Sequence, residues 1–300
     1  MDEQLKILQS IGVLQKPNIR IRDPARTEKV LQKLIQDGKQ KLQVVADFDF
    51  TLTKFSHQGE MCPCTFATLE QSGLLPDFYN EEAFQLYKYY YPIETSHEMT
   101  TEEKIPHMQQ WWTKAQALLV RCNFKKDLIP KMIKRSKLRL RDGCSTLFKI
   151  LHKNDIPLLI FSAGIGDVIL ELIREKDVLY DNMKVVSNFI NFNEQDLCQG
   201  FKGNMIHVFN KNENAIHGSD YFENLSHRSN IVLMGDSLGD LHMADGASDT
   251  SSGQEPCKLT IGFLNTNVEE RIDQYQAQYD IVVISDETMD VCNAILQKIL

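Results

Sequence analysis

The sequence predicts an α/β protein in which helices cover both faces of a doubly wound parallel sheet and a helical domain is inserted after the first strand. Short apolar runs recur along the chain, and segments with helical spacing separate most of them. Such alternation is typical of parallel sheets. The interval 55–141 has helical spacing and almost no strand pattern, so it indicates an insertion.

The predicted strands are apolar runs, as expected for strands that are buried on both faces of a sheet. They cover residues 42–48, 156–161, 184–189, 231–234, 259–263 and 281–284. The helices that follow or separate them are predicted at residues 142–153, 166–176, 238–245, 268–278 and 287–300. A glycine within an alternating pattern predicts a small hairpin at residues 201–209.

Two domains follow from this pattern. Residues 1–54 and 142–300 are predicted to form the α/β core, and residues 55–141 a helical cap. Helical spacing within the cap covers residues 81–90, 101–121 and 128–140. The run Thr101-Glu102-Glu103-Lys104 offers a capping signal at the start of the second of these helices.

Composition and charge narrow the class of protein. With 42% hydrophobic and 25% charged residues, the chain of 300 residues is that of an ordinary globular protein. Its formal net charge of -8 and its dispersed basic residues argue against a nucleic acid polymer as the partner. The basic stretch 125–141 alternates with apolar residues, which favours the solvated face of an amphipathic helix.

The expected compartment is the cytoplasm. No apolar run approaches the roughly 18 residues of a membrane span, and the first residues lack the pattern of a signal peptide. Seven scattered cysteines favour reduced, mostly buried thiols over a disulfide framework. Cys62-Pro63-Cys64 lacks a second pair of ligands at zinc-site spacing. We expect a monomer without a membrane partner.

Carboxylates and small residues follow three of the predicted strands. Asp47 and Asp49 end the first strand, Ser162 follows the second, and Asp236 and Asp240 follow a later one. Ligands of open α/β sheets bind at the carboxyl ends of the strands, so these side chains are expected to meet. An oxygen-rich group of carboxylates suits a hard ion such as Mg²⁺.

The same strand ends predict phosphoryl transfer. The Ser162 hydroxyl and the backbone N–H groups that follow it, at a predicted helix N-terminus, favour a phosphate. Beside a metal ion, Asp47 is the candidate nucleophile and Asp49 the candidate general acid and base. Lys211 is the candidate to neutralise the transferring oxygens. An isolated Asp-x-Asp more often caps a turn, but three such groups in order at strand ends favour catalysis.

These residues resemble the four motifs of the haloacid dehalogenase-like superfamily, namely Asp47-x-Asp49-x-Thr51, Ser162, Lys211 and Gly235-Asp236-Ser237-x-Gly239-Asp240. Longer strings look like the cytosolic 5′-nucleotidase III family, among them DFDFTLTKFS, YYPIE, EKIPHMQQWWTKA, FSAGIGD and GDSLGDLHMADG. The resemblance implies a Rossmann-like core with a helical cap, Mg²⁺ as cofactor, and hydrolysis of nucleoside 5′-monophosphates.

The resemblance also implies a role for each matching residue. Mg²⁺ would be held by Asp47, by the Asp49 carbonyl and by Asp236. Phosphate would be bound by Ser162, by the Ala163 amide and by Lys211. Glu94 in the predicted cap matches the glutamate that recognises the base. Asp240 would contact the metal ligands without binding the ion itself.

A second set of residues bears on the substrate. The run Trp111-Trp112-Thr113-Lys114-Ala115 is similar to the family branch that also takes 7-methylguanosine monophosphate. Phe66 and Trp112 could sandwich the positively charged methylated base, with a cation–π contribution of ~1–2 kcal/mol. Aromatic residues at helical spacing are usually core, and for Trp111 we prefer that interpretation. Phe66, the shift of one cysteine in Cys62-Pro63-Cys64 and a long loop at 247–256 depart from the family pattern and bear on selectivity.

The leading hypothesis is therefore a Mg²⁺-dependent 5′-nucleotidase that hydrolyses 7-methylguanosine 5′-monophosphate and cytidine monophosphate through an aspartyl-phosphate. One alternative is a pyrimidine-specific 5′-nucleotidase that also transfers the phosphoryl group to a nucleoside. Another is a non-catalytic module that sequesters nucleotides.

Overall fold

A seven-stranded sheet lies at the centre of the computed structural model, which describes residues 5–96, 98–211, 225, 227–245 and 256–300. Its strands, in chain order, are β1 (Ile19–Ile21), β2 (Leu42–Ala46), β5 (Leu158–Ile165), β6 (Met183–Asn188), β9 (Asn230–Gly235), β10 (Cys257–Leu264) and β11 (Ile281–Ile284). The short strands β3 (Ser56–His57) and β4 (Glu60–Met61) form one hairpin, and β7 (Ile190–Phe192) and β8 (Cys198–Phe201) form another.

The strand order places the candidate site residues of the sequence analysis at a topological switch point of the sheet. The order is β1-β11-β10-β9-β2-β5-β6, and every neighbouring pair is parallel except the edge pair of β1 and β11. After β2 the chain builds one side of the sheet through β5 and β6, and it later returns to build the other side from β9. Ligands of such sheets bind at the carboxyl ends of the strands, where this reversal occurs.

Ten α-helices surround the sheet in the described part of the chain. They are α1 (Lys6–Ser10), α2 (Pro24–Asp37), α3 (Thr65–Gln71), α4 (Asp77–Glu94), α5 (Thr101–Arg121), α6 (Leu128–Arg135), α7 (Cys144–Lys153), α8 (Gly166–Glu175), α9 (Val268–Gln278) and α10 (Asp290–Ile299). The described residues also contain three 3₁₀ helices, at Gly12–Gln15, Lys39–Lys41 and Leu238–His242. No helix among the described residues is both long and apolar enough to cross a membrane.

The sheet is buried because its strands are apolar on both faces. Every residue of β2 and of β9 is buried, as their mostly apolar sequences predicted, and the buried residues include the polar Gln43 and Asn230. All six predicted strands are present, and the predicted α/β class with a doubly wound, mostly parallel sheet is confirmed. The edge strand β1 was missed because an Ile-Arg-Ile run of three residues is too short to be distinguished from a loop.

Other boundaries differ from the prediction. The predicted helix at 238–245 is only a 3₁₀ helix, and α6 ends at Arg135 rather than at residue 140. The hairpin predicted at 201–209 is wrong, because β8 ends at Phe201 and pairs with the earlier β7. The turn of that hairpin is closed by the Asn193 side chain, which accepts from the backbone of Gln195 and Leu197. Of the long loop predicted at 247–256, only Pro256 lies within the described residues.

The inserted segment lies against the core. It contains the hairpin of β3 and β4 and the four helices α3–α6. The chain enters and leaves it side by side, since the Lys54 amide donates to the Arg139 carbonyl at 2.9 Å. Its buried side chains, among them Leu69 and Leu119, join one apolar cluster with residues of β2, β5 and α8. The division into domains at residues 54 and 141 stays a prediction.

All seven cysteines are free thiols, and four of them are buried. The expectation of reduced, mostly buried thiols agrees with this arrangement. The half-buried Cys64 begins α3, where its sulfur accepts from the Ala67 amide at 3.4 Å. The Cys62-Pro63-Cys64 run therefore contributes a helix cap to the structure.

The cap of α5 lies one residue earlier than the sequence pattern indicated. The Thr100 hydroxyl accepts from the Glu103 amide at 3.3 Å, and the Glu103 carboxylate accepts from the Thr100 amide at 2.8 Å. Each side chain thus satisfies a backbone donor that the helix itself leaves unpaired. Thr101 is the first helical residue.

Replacing Thr100→Ala should lower the free energy of unfolding by about 1 kcal/mol, because the helix loses its capping oxygen. Thr101→Ala is the matched control and should change that free energy by less than about 0.5 kcal/mol. Urea unfolding followed by circular dichroism measures both. Equal destabilisation by the two variants would contradict the observed cap.

Candidate active site

The loop after β2 carries Asp47 and Asp49. The Asp47 amide donates to the Met234 carbonyl of β9 at 3.0 Å, which continues the parallel ladder by one residue and keeps Asp47 at the edge of the sheet. The chain then closes a tight turn, because the amides of Leu52 and Thr53 both donate to the Phe48 carbonyl at 3.0 Å. Asp47 is buried and Asp49 half-buried, so both carboxylates are held where the strand ends.

Lys211 connects two of the carboxylates. Its buried ammonium donates to Asp47 Oδ1 and, at 2.8 Å, to Asp240 Oδ1. A buried ammonium is stable only when it is paired and hydrogen-bonded, and here two buried carboxylates meet that need. The three residues come from distant parts of the chain, and the structure brings them together as the sequence predicted.

Asp240 organises the loop after β9. Its Oδ2 accepts from the amides of Asp236 and Ser237 at 3.1 and 2.9 Å and from the Ser237 hydroxyl at 2.9 Å. Gly235 permits this approach, since a Cβ at that position would lie 2.4 Å from Asp240 Cβ. Tyr279, the residue that follows α9, donates to the Ser237 carbonyl at 2.5 Å and so also supports the loop.

The carboxylates fit a divalent cation. One oxygen each of Asp47, Asp236 and Asp240 can be chosen so that all lie within 4.8 Å of one another. Asp240 already accepts four hydrogen bonds, whereas no described residue donates to the Asp236 carboxylate. Burial, Asp47 and Asp240 raise the pKa of Asp236 well above its usual range. Hard oxygen donors crowded in this way are the ligands that Mg²⁺ prefers, so the donor set fits the ion.

The stretch Ser162-Ala163-Gly164 belongs to an irregular end of β5. The strand was predicted to end at residue 161, but it continues to Ile165 through a shift in its register with β6. The buried Ser162 hydroxyl accepts from the Gly164 amide at 3.0 Å. Its hydroxyl proton stays available for another acceptor, as a phosphate-binding serine requires.

Asn188 ties this stretch to the segment that carries Lys211. The buried Asn188 amide group donates to the Ala163 carbonyl at 2.8 Å and to the Ile206 carbonyl at 2.9 Å. Its side-chain oxygen accepts from the Ile206 amide at 2.9 Å. The sequence analysis missed this residue, because an asparagine at a strand end carries no signal of a distant partner.

Asp49 is held by the inserted segment. Its Oδ1 accepts from the Thr65 amide at 2.9 Å, and its Oδ2 accepts from the Thr65 hydroxyl at 2.8 Å. Thr65 is the first residue of α3 and is completely buried. The sequence analysis did not single out Thr65, because a threonine beside a cysteine gives no sign that it contacts a carboxylate 16 residues away.

Burial is the largest cause of the pKa shifts of Asp47 and Asp49. It raises the pKa of Asp47 to about 7, although Lys211 lowers it. It also raises the pKa of Asp49 to about 6, against the lowering effect of the two Thr65 hydrogen bonds. Burial alone would lower the pKa of Lys211, but Asp240 and Asp47 raise it, so the lysine stays charged. A carboxyl that titrates near neutral pH is suited to proton transfer.

Glu94, the predicted base-recognising residue, is the last residue of α4 and is half-buried. Burial raises its pKa to about 7, and the charge of Lys104 lowers it. The Lys104 ammonium lies 5.6 Å from the centre of the Phe209 ring, and Phe209 is two residues from Lys211. Lys104 therefore acts on Glu94 through its charge and lies near the Lys211 segment through Phe209.

Phe66 and Trp112 contact each other directly. Their ring centroids are 4.5 Å apart and their planes are inclined by 42°. A base between two rings needs a centroid separation of about 7 Å, since each stacked contact takes about 3.5 Å. The expected gap between them is therefore not present, and the rings must separate before a base can fit. Trp112 also stacks on Trp111 at 5.8 Å, and Trp111 stacks on Tyr90.

Comparison with known proteins decides the family. The family model for pyrimidine 5′-nucleotidase (UMPH-1) matches residues 50–300. The chain belongs to this 5′-nucleotidase family.

Its relatives match over nearly their whole length. The Homo sapiens protein named 7-methylguanosine phosphate-specific 5′-nucleotidase is 43% identical over 292 residues, which cover 97% of this chain and 96% of the relative. The Xenopus laevis protein named 7-methylguanosine phosphate-specific 5′-nucleotidase A is 43% identical over 287 residues, 96% of this chain and 97% of the relative.

One solved structure is also similar over nearly the whole of both chains. The crystal structure of cytosolic 5′-nucleotidase IIIB bound to cytidine has a TM-score of 0.85 and 35% identity and covers 97% of both chains. These comparisons confirm the family predicted from the sequence and its enzyme class, a phosphoric monoester hydrolase.

Arg141 supports the loop after β2 and was missed by the sequence analysis. Its buried guanidinium donates to the carbonyls of Phe50 and Thr51 at 2.6 and 2.7 Å and to Asn265 Oδ1 at 2.9 Å. Phe50 has a φ of 62°, a left-handed conformation that is strained for a bulky residue. The Asn265 amide group donates to the same Phe50 carbonyl at 3.1 Å. In this family member, the strained turn between Asp49 and Thr51 is therefore held by two side chains.

Replacing Arg141→Lys should lower the free energy of unfolding by about 3–5 kcal/mol, because one ammonium cannot serve the acceptors that the guanidinium serves and leaves buried carbonyls unpaired. Arg139→Lys, at an exposed side chain, is the matched control and should change it by less than about 0.5 kcal/mol. Guanidinium chloride unfolding measures both. A loss below about 1 kcal/mol for Arg141→Lys would contradict the supporting role.

Proposed function

We propose that the protein is a Mg²⁺-dependent 5′-nucleotidase that hydrolyses 7-methylguanosine 5′-monophosphate and cytidine monophosphate through an aspartyl-phosphate on Asp47. The observation that carries the proposal is the buried Lys211, which binds Asp47 and Asp240 in the same oxygen-rich group of carboxylates. A lysine beside a candidate nucleophile and a metal-binding group of carboxylates is suited to the transfer of a phosphoryl group.

In the first half of the reaction, an oxygen of Asp47 attacks phosphorus and forms an Asp47 O–P bond. The bond between phosphorus and the 5′-oxygen breaks, and protonated Asp49 gives its proton to that leaving oxygen. The raised pKa of about 6 supports this role, because a useful fraction of Asp49 carries the proton near neutral pH. The Ser162 hydroxyl, the Ala163 amide and the Lys211 ammonium would bind the non-bridging oxygens.

In the second half, water attacks the phosphorus of the aspartyl-phosphate. Asp49, now ionised, takes a proton from the water as the bond between phosphorus and Asp47 breaks. Phosphate leaves, Asp47 returns as a carboxylate and Asp49 is protonated again, so the enzyme recovers its starting state.

The carboxylates of Asp47 and Asp236 and the Asp49 carbonyl would hold Mg²⁺. When bound, the ion supplies positive charge that offsets the repulsion between the nucleophile and the phosphate. A cation also favours the ionised form of Asp47, whose pKa is raised to about 7 by burial. Asp240, which accepts four hydrogen bonds, orients Lys211 and the loop after β9.

Four observations support the choice of nucleotide. The curated relatives are named for 7-methylguanosine phosphate, and the similar solved structure is bound to cytidine. Glu94 offers a carboxylate to a base edge, and the buried Trp112 Nε1 has no acceptor among the described residues. A buried donor without a partner costs about 1–3 kcal/mol, which a ligand acceptor would offset. We infer that residues 55–141 form a cap over the site and that Phe66 and Trp112 separate to admit the base.

The expected cellular setting follows from the same relatives. One of the similar proteins is named as a cytosolic nucleotidase, and we infer a cytoplasmic monomer whose partner is its nucleotide substrate.

A phosphate-release assay tests the proposal. Purified protein is compared with Asp47→Asn on 7-methylguanosine, cytidine, uridine, adenosine and guanosine monophosphates, with Mg²⁺ and with excess chelator. We expect release from the first two substrates to be fastest, to stop with chelator, and to fall at least about 10³-fold in Asp47→Asn because the amide cannot form the aspartyl-phosphate. Retained turnover in the folded variant would refute the nucleophile, and equal rates on all five nucleotides would refute the specificity.

Glu94 should make the turnover of cytidine monophosphate depend on pH. Its raised pKa of about 7 means that the side chain is mostly protonated at pH 6 and mostly ionised at pH 8. The ionised form accepts a stronger hydrogen bond from the cytosine amino group, by about 1 kcal/mol or roughly fivefold. The ratio of kcat/KM between wild type and Glu94→Gln should therefore rise about threefold from pH 6 to pH 8, because roughly a tenth of Glu94 is ionised at pH 6 and roughly nine tenths at pH 8.

The Glu94→Gln variant is also the control. Titration of the substrate phosphate changes kcat/KM equally in both proteins, so it cancels in the ratio. A ratio that stays constant from pH 6 to pH 8 would show that ionisation of Glu94 does not contribute to recognition of the base.

A further inference from the structure

We propose that Thr65 is a positioning residue for the general acid: its amide and its hydroxyl together orient Asp49 towards the leaving oxygen of the substrate. The inference rests on the proposed function, in which Asp49 protonates that oxygen. It extends that function to a residue of the inserted helical segment.

The two contacts fix the plane of the Asp49 carboxyl group. One oxygen accepts from the Thr65 amide at 2.9 Å and the other from the Thr65 hydroxyl at 2.8 Å. A carboxyl group held at both oxygens cannot rotate about its last bond without losing both contacts. Each oxygen has two lone pairs, so one on each stays free for the proton that Asp49 transfers.

The direction of the Thr65 hydroxyl is also determined. The Ile165 amide donates to Thr65 Oγ1 at 3.1 Å, so the oxygen accepts from the main chain of β5 while its proton points to Asp49. This arrangement connects the acid to the same strand end that carries the candidate phosphate-binding Ser162. Thr65 thereby fixes the position of Asp49 relative to the candidate phosphate-binding residues of β5.

Close packing leaves little room for another arrangement. Thr65 is completely buried, and a Cβ at Gly164 would lie 2.2 Å from Thr65 Oγ1 and 2.7 Å from Asp49 Oδ2. The absence of a side chain at Gly164 is thus what allows the three groups to meet. Asp47 and Lys211 are held by partners of the core, whereas the contacts of Asp49 come from α3.

The test compares two leaving groups. The 5′-alkoxide of cytidine monophosphate needs a proton as it leaves, whereas p-nitrophenolate leaves without one, so only the nucleotide depends on a well-placed acid. The value of kcat/KM reports the steps up to departure of the leaving group and separates the two cases. Thr65→Val keeps the shape of the side chain and removes the hydroxyl, and Thr65→Ser restores it.

We expect Thr65→Val to lower kcat/KM for cytidine monophosphate about 10–100-fold, within the contribution of an acid catalyst, and that for p-nitrophenyl phosphate less than threefold. Thr65→Ser should stay within about threefold of wild type on both substrates. A uniform loss on both substrates, or no loss on either, would overturn the positioning role. If Thr65→Val does not fold, Thr65→Ala carries the same comparison.

Asp49→Asn separates this inference from the proposed function. It should show the same preference for the substrate that needs no proton, with a larger loss on the nucleotide. If Asp49→Asn lowers both substrates equally, the acid role proposed for Asp49 fails. If Asp49→Asn shows the preference and Thr65→Val does not, the acid role stands and the inference about Thr65 is wrong.

Discussion

The ammonium of Lys211 lies between the carboxylates of Asp47 and Asp240, and the rest of the active site depends on this buried group of charges. Each of these charges would be costly to bury alone, and removal of Lys211 would leave both carboxylates without a positive partner. Because one positive charge faces two carboxylates, with Asp236 close by, ionisation of all three carboxyl groups would leave an excess of negative charge. That excess is what makes a divalent cation a natural component of the site.

The parallel sheet makes this crowding possible. Asp47 leaves the end of β2 and Asp236 the end of the neighbouring β9, so the register of two strands brings their side chains to one edge. The backbone of the loop that carries Asp47 and Asp49 is constrained near these carboxylates. Phe50 adopts a left-handed conformation, and Arg141 and Asn265 hold its carbonyl from opposite parts of the chain.

The inserted segment does more than cover the sheet. Its first helix supplies the amide and hydroxyl that hold Asp49, and the next residue, Phe66, contacts Trp112 of α5. The proposed acid, Asp49, and the proposed base-binding residues therefore contact the same helix, α3. A movement of α3 that separates the two rings would also act on the carboxyl group of Asp49, so the proposed binding of the base and the proposed proton transfer would depend on the same helix.

The sequence by itself determined the α/β class, the six principal strands and the residues at their ends, because apolar runs and the side chains that follow them are local properties of the chain. It also determined the family, since the motif strings are contiguous. Only the tertiary structure revealed that Thr65 contacts Asp49, that Arg141 holds a turn 90 residues earlier in the chain, and that Phe66 and Trp112 are in contact. These contacts depend on how separate segments pack, and no periodicity or spacing within one segment encodes the distance to another.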